Sequence, residues 1–157
     1  MYNQKSKDLL VKKLESEDFN RTTCSFYKYV TIADPLTFRD KVYEEFDSLE
    51  ILGRVYIAKE GVNAQISVPE KNWSLFLKLI TSIKLFKDVD IKTAINDGIS
   101  FYKLVVKVKK EIVAYNIPKN KFNMDVVGEH LNTKQFNEAI ENSNTTVIDM
   151  RNIYESE

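Results

Sequence analysis

The stretch Gly53–Pro69, GRVYIAKEGVNAQISVP, most constrains what this chain can fold into. Val62, Ala64, Ile66 and Val68 alternate with Asn63, Gln65 and Ser67, the period of two that marks a half-buried strand. Val55 and Ile57 alternate in the same way with Arg54 and Tyr56. Between the two runs, Lys59-Glu60-Gly61 supplies a turn, and Gly61 is free to take positive φ. The spacing predicts a hairpin with one apolar face and one polar, amide-bearing face. The polar face is either solvent-exposed or a recognition surface.

The flanking segments predict what the hairpin pairs with. In Arg21–Ile32, RTTCSFYKYVTI, Cys24, Phe26, Val30 and Ile32 fall on one side, with Lys28 interrupting it. Asp34-Pro35 reads as an N-cap followed by proline at the first helical position. Phe38, Val42, Phe46 and Leu49 then form an apolar stripe on a helix over residues 35–48. After the hairpin, Trp73, Phe76, Leu77, Ile80 and Ile83 repeat at helical spacing on a second helix starting at 69–71. Val89–Ile95 alternates as a strand, Asn96-Asp97-Gly98 is a turn, and Ser100–Val108 is a further strand. The order strand, helix, strand, strand, helix, strand, plus one added strand, is that of an α+β, ferredoxin-like βαββαβ domain over residues 21–112. Its sheet is antiparallel and both helices pack on one face. The other face is open, and Tyr27, Tyr29, Arg54, Asn63, Gln65, Lys103 and Lys107 are its candidate surface residues.

A chain of 157 residues buries about 70% of its unfolded surface and needs no staple. Lys plus Arg and Asp plus Glu both number 23, which argues against nucleic-acid binding by bulk charge and leaves room for a local basic face. One cysteine, Cys24, excludes an internal disulfide framework and a cysteine-based zinc site. No apolar run is long enough for a transmembrane helix, and Met1–Asn20 lacks a signal-peptide core, so the cytoplasm is the simplest compartment. Residues 1–20 are a charged arm or a short helix carrying Leu9, Leu10, Val11 and Leu14.

Beyond Glu111 the character changes. Residues 113–130 read as a connector, Asn132-Thr133 caps a helix over 134–141 that buries Phe136 and Ile140, and Thr145–Met150 reads as a buried strand. A buried strand with nothing to cover it predicts a second domain that begins at about residue 131 and is not completed.

Residues with reactive chemistry are few. Cys24 alternates with Phe26 and reads as a buried structural thiol. His130 stands alone beside Glu129 and makes neither a metal site nor a triad. Four glycines form no phosphate loop. No metal ligand set and no cofactor are evident. Lys107, Lys109 and Lys110 form a basic run that is a solvated edge or, beside Tyr27, Tyr29 and Phe101, a surface pairing cations with stacking rings. Asp149 and Arg151 in VIDMRNIYE are placed to pair and to support a loop.

RTTCSFYKY, IADP, GRVYIAKEGVNAQISVP and VIDMRNIYESE resemble the bacterial rhodanese-domain tRNA uridine hydroxylases, from about Arg21 onward. The resemblance implies an N-terminal acylphosphatase-like domain followed by an α/β rhodanese domain. It also implies 5-hydroxyuridine formation at the wobble position of tRNA, with molecular oxygen as co-substrate and the anticodon region as the contact. The implied catalytic cysteine lies in a rhodanese loop beyond Glu157, so no catalytic residue falls in this chain and Cys24 does not match that position. Asp149 and Arg151 would then support the rhodanese loop.

Three other readings stand beside it. An acylphosphatase-type hydrolase needs an arginine aimed into the loop after the first strand, where this chain has Thr31–Pro35 with Asp34, which would repel phosphate. A rhodanese-type sulfurtransferase accessory domain and a non-catalytic protein-interaction module are the others.

Overall fold

The computed structural model describes residues 6–94, 101–113 and 128–149. They fall in two compact units, Met1–Asn116 and Ile117–Glu157.

The first unit opens with helix α1, Lys7–Glu15, capped by Ser6, whose hydroxyl accepts from the Leu9 amide. Leu10 and Leu14 are buried while Leu9 stays exposed, so the helix presents one apolar edge. Strand β1, Arg21–Tyr29, follows and stops three residues short of the expected end. Beyond it, the Val30 and Ile32 amides donate to the carbonyls of Glu60 and Lys59 at 2.9 Å, so the chain leaves the ladder to ride along the hairpin turn.

Helix α2 spans Pro35–Ser48, as its capping residue and apolar spacing predict. Its C-terminus is closed by two reverse bonds, Ile51 amide to Phe46 carbonyl and Glu50 amide to Asp47 carbonyl, with Glu50 in the left-handed region at φ 56°. Strands β2, Leu52–Ala58, and β3, Gly61–Pro69, are the expected hairpin. Gly61 takes φ 151° opposite Tyr29, and a Cβ there would collide with the Lys28 carbonyl. A single 3-10 turn, Glu70–Asn72, then precedes helix α3, Trp73–Ser82.

Strand β4 is only Lys92–Thr93, paired with Ser25 and Cys24, where a longer strand is expected from the alternation. Val89 and Ile91 pack on the core without joining the ladder. Ile95 and residues 96–100 lie outside the described residues. Strand β5 begins at Leu104 rather than Ser100 and ends at Val108.

The sheet order is β4-β1-β3-β2-β5. Among the first four strands every neighbouring pair, β4–β1, β1–β3 and β3–β2, is antiparallel, the ferredoxin-like arrangement. Strand β5 runs parallel to β2 and makes the sheet mixed, which corrects the all-antiparallel expectation. The hydrogen-bonding edge of β2 is thereby covered: the Gly53 amide donates to the Lys103 carbonyl and the Lys109 amide to the Ile57 carbonyl.

The core lies on the side of the sheet carrying Val55, Ile57, Val62, Ala64, Ile66 and Val68, with Val42 and Phe46 of α2 and Phe76 and Ile80 of α3 against it. Edge-to-face ring pairs tie the layers: Phe46 with Phe76 at 6.1 Å, and Phe26 and Phe38 with Phe86 at 5.5 and 5.6 Å. Each fully buried aliphatic or aromatic side chain here contributes about 1.5–3 kcal/mol. Both helices therefore sit on one face, and the alternation of β1, β3, β2 and β5 sends every second side chain to the other.

In the second unit, helix α4, Thr133–Ile140, starts at a capping box: Asn132 accepts from the Gln135 amide, and Gln135 accepts from the Asn132 amide. Phe136 and Ile140 were expected to be buried, but each is 46% exposed. Residues 145–149 form no strand, and Val147 and Ile148 are exposed, against the expected buried strand. A strand needs an edge to pair with and a layer to cover it. Among the described residues neither is supplied. Met150 and Arg151 lie outside the described residues, as does most of the expected connector.

Candidate functional site

The register of the ladders composes the uncovered sheet face row by row. One row is Tyr27, Asn63, Tyr56 and Lys107 across β1, β3, β2 and β5; the next is Ser25, Gln65, Arg54 and Val105, with Lys92 of β4 beside Ser25. Tyr27 is 63% exposed and its ring meets that of Tyr29 edge-on at 6.3 Å. Arg54, Gln65 and Lys107 are exposed, and the Arg54 guanidinium lies 6.0 Å from the Phe101 ring. Among the described residues no carboxylate pairs with Arg54 or Lys107. The face therefore combines unneutralised cations, an exposed aromatic pair and an amide, although the whole chain is charge-neutral.

Two of the expected surface residues sit differently. Asn63 is half-buried, and its Nδ2 donates to the Ile112 carbonyl at 3.4 Å. The Ile112 amide in turn donates to Glu60 Oε1 at 2.9 Å. The chain after β5 is thus stapled over one end of the face, by the hairpin turn, and Asn63 serves that staple. Lys103 precedes β5 in a bend, half-buried, with its Nζ 5.8 Å from the Tyr102 ring. It lines a cleft of about 270 Å³ with Leu10, Leu14, Arg21, Tyr43 and Tyr102, where α1 meets the end of the sheet. The strand alternation that placed Lys103 on the face does not extend to residue 103, because the ladder with β2 begins at Leu104.

Tyr56, outside the expected surface set, joins the face, and so does Lys109 of the basic run. Tyr56 lies between Asn63 and Lys107, and the Lys109 Nζ stands 5.2 Å from its ring. The signal for Tyr56 was its parity with Arg54. Lys109 shares its parity with Lys107, and its amide extends the pairing with β2 by donating to the Ile57 carbonyl at 2.8 Å.

The reactive groups elsewhere are quiescent. Cys24 is buried in the core, and burial pushes its thiol up to about 12, which leaves no thiolate to react near neutral pH. The loop ahead of α2 holds Asp34, whose carboxylate accepts from the Thr37 hydroxyl at 2.6 Å and from the amides of Leu36 and Thr37. The Thr37 bonds, the hydroxyl first, hold that carboxyl below its usual range. The amides a phosphate would use there are already occupied by a negative group. His130 is exposed, and among the described residues no group of three or more His, Cys, Asp or Glu could hold a metal ion. Among them, no helix is long and apolar enough to cross a membrane.

Comparison with known proteins places this architecture. The model of the UPF0176 acylphosphatase like domain matches residues 21–112. The tRNA uridine(34) hydroxylase of Leptospira interrogans is 45% identical over 158 residues, covering 100% of this chain and 43% of that protein. The tRNA uridine(34) hydroxylase of Buchnera aphidicola is 40% identical over 156 residues, covering 99% of this chain and 50% of that protein. The chain thus spans half or less of the length of these curated relatives. A crystal structure of full-length HypF in the phosphate- and nucleotide-bound form overlaps 61% of this chain and 13% of its own at a TM-score of 0.47 and 14% identity. By its matched domain and its relatives, the chain belongs to the UPF0176 acylphosphatase like family, which it shares with the curated tRNA uridine(34) hydroxylases.

Proposed function

We propose that this chain holds the anticodon region of tRNA for an oxygen-dependent tRNA uridine hydroxylase, while a rhodanese domain of the same protein forms 5-hydroxyuridine at the wobble position. The observation that carries the reading is the uncovered sheet face. Arg54 and Lys107 stand there with no carboxylate partner among the described residues, beside the exposed Tyr27–Tyr29 pair and Gln65. Cations that neutralise phosphates supply the affinity of such a contact, and rings that stack on unpaired bases restrict it to a loop. The names of the relatives supply the substrate.

In this reading the catalytic cysteine is the one the family resemblance implies in the rhodanese loop, and this chain alone is inactive. Cys24 is compatible with that division, since it is buried in the core and burial pushes its thiol up to about 12. Asp149 and Arg151 are assigned to support of that loop. Molecular oxygen is the co-substrate and the cytoplasm, where tRNA is modified, is the compartment. Two measurements test this. Nucleoside mass spectrometry of tRNA from cells lacking the full gene is expected to show loss of 5-hydroxyuridine and its derivatives; unchanged levels without a second pathway would overturn the assignment. Binding of tRNA by the intact protein is expected to weaken steeply with salt.

The Tyr27–Tyr29 pair would equally suit a protein partner, which is the second reading. Lys107→Ala and Tyr29→Ala separate the two: loss of tRNA binding at an unchanged oligomeric state supports RNA, and an altered oligomeric state with intact tRNA binding supports a protein interface.

A further inference from the structure

The two chemistries of the sheet face are segregated, and the segregation fixes how an RNA strand would lie on it. The exposed rings, Tyr27 and Tyr29, are both on β1. The cations are on the opposite side of β3: Arg54 on β2, Lys107 on β5 and Lys109 just beyond it. At the β4 edge Lys92 has Asp90 3.9 Å away, so that side carries a partly compensated charge. Tyr56 and Phe101 are further aromatics of the face, both on the cationic side and half-buried, Phe101 with the Arg54 guanidinium 6.0 Å from its ring. The Lys109 ammonium stands 5.2 Å from the Tyr56 ring, so both rings are engaged by cations while those of β1 stay exposed. The Asn63–Ile112–Glu60 staple holds the segment that carries Lys109 in this place.

We propose that this face takes a single-stranded RNA segment in one polarity across the sheet. Its phosphates run over β2 and β5 against Arg54, Lys107 and Lys109, and its bases turn toward β1, where the Tyr27 ring, braced edge-on by Tyr29, stacks on one unpaired base. The inference rests on the reading of the face as an RNA surface and adds to it the form of RNA, the orientation and the stacking residue. The distance from β1 to β2 is two strand spacings, about 10 Å, the depth of a nucleotide from base to backbone. Gln65 lies between the two sides, diagonal to Tyr27, with its amide exposed to a base edge. A duplex fits poorly. Its bases are already stacked, and the face offers no protruding helix or ribbon to enter a groove.

The test measures equilibrium binding of the full-length protein to two RNA probes, a hairpin with a seven-nucleotide unpaired loop and a fully paired duplex of matching length, across a salt series. The loop probe is expected to bind more tightly than the duplex. Tyr27→Ala is expected to weaken loop binding about 5- to 150-fold, the worth of one lost base stack, while the slope of log affinity against log salt stays unchanged. Tyr27→Phe keeps the ring and is expected to bind as the unmodified protein. Lys107→Ala and Arg54→Gln are expected to reduce the salt slope by about 0.7 each, one single-strand phosphate apiece. Should Tyr27→Ala prove unstable, Tyr27→Leu retains a large apolar side chain on the strand and removes the ring. Equal affinity for duplex and loop, or loop binding indifferent to both Tyr27→Ala and Tyr27→Leu, overturns the orientation and leaves the RNA surface standing. No binding to either probe, or to tRNA, overturns the RNA surface itself.

Discussion

Glu17 holds Arg21 through two hydrogen bonds, Nε to Oε2 at 2.6 Å and Nη2 to Oε1 at 2.8 Å, and the same guanidinium donates through Nη1 to the carbonyls of Glu50 and Ser67. One side chain thus ties the exit of α1 to the start of β1, the end of β3 and the turn after α2. The Phe19 ring lies 5.4 Å from the guanidinium, and both members of the ion pair are nearly buried. Lysine cannot form the bidentate pair and reach two carbonyls together. Arg21→Lys is expected to destabilise the first unit by about 1–3 kcal/mol, read as a lower urea midpoint at unchanged slope by Trp73 fluorescence. A midpoint within error of the unmodified protein would show that the clasp is dispensable.

Gly61 is required by geometry on two counts. Its φ of 151° lies where side chains are strained, and a Cβ would meet the Lys28 carbonyl across the β1–β3 ladder. Neither atom belongs to a flexible side chain that could swing aside. Gly61→Ala is expected to cost about 2 kcal/mol or more, measured by thermal or urea unfolding, with the hairpin amides exchanging faster in the native state.

Glu50 presents the opposite case, a non-glycine residue in the left-handed position that closes α2. Glycine there relieves about 1 kcal/mol of strain, partly offset by its freedom in the unfolded chain. It also removes the exposed ion pair with Lys71 at 2.7 Å. Such a pair is screened by salt. Glu50→Gly is therefore expected to be near neutral at low ionic strength and about 0.5 kcal/mol more stable than the unmodified protein at high salt. Destabilisation at both salt concentrations would show that the helix terminus is held by more than its two reverse bonds.

Asp34 makes the start of α2 sensitive to acid. Its carboxyl is held below the usual 3.8 mainly by the Thr37 hydroxyl and amide, so the folded state binds the proton less readily than the unfolded chain does. The resulting stability is present above pH 3.8 and is lost as pH falls through the lower folded value. Asparagine keeps the capping oxygen without the charge. The stability difference between the unmodified protein and Asp34→Asn is expected to close as pH drops below 3.8, while Asp34→Ala stays below both. The depressed Glu50 carboxyl acts with the same sign and cancels in the comparison.

Cys24 is predicted to be inert. With its thiol buried and raised to about 12, a thiol-specific reagent at pH 8 is expected to label the protein only after denaturation. Cys24→Ala is expected to cost about 1 kcal/mol of stability through the small void it leaves, with RNA affinity unchanged. Rapid labelling of the native protein would show that the core around β1 opens locally.

The hairpin, α2 and most of the core were legible in the chain itself. Val62, Ala64, Ile66 and Val68 alternate because their face is buried, and Asp34-Pro35 with the Phe38–Leu49 stripe specifies a helix by local rules alone. The segments that depart from their local pattern have one cause in common. Val89–Ile95 alternates well, yet among the described residues only Lys92 and Thr93 pair, at an edge where part of β1 receives them. Ser100–Val108 alternates too, but among its described residues only Leu104–Val108, opposite β2, enter the ladder. Val147 and Ile148 look like a buried strand, and among the described residues nothing pairs with or covers them. Alternation reports what a segment can become, and pairing depends on what another segment offers.

The candidate site divides along the same line. The sequence by itself determined which residues have surface parity on each strand, and so it identified Tyr27, Tyr29, Arg54, Gln65 and Lys107. Only the tertiary structure decided that Asn63 is consumed by Ile112, that Lys103 turns into the cleft under α1, and that Lys109 comes to lie by Tyr56. The physical reason is range. Side-chain parity is set by the backbone within two residues of a position. Hydrogen bonds that join residues about fifty apart in sequence, such as Asn63 Nδ2 to the Ile112 carbonyl and the Ile112 amide to Glu60, exist only once β5 has docked against β2 and carried the following chain back over the face.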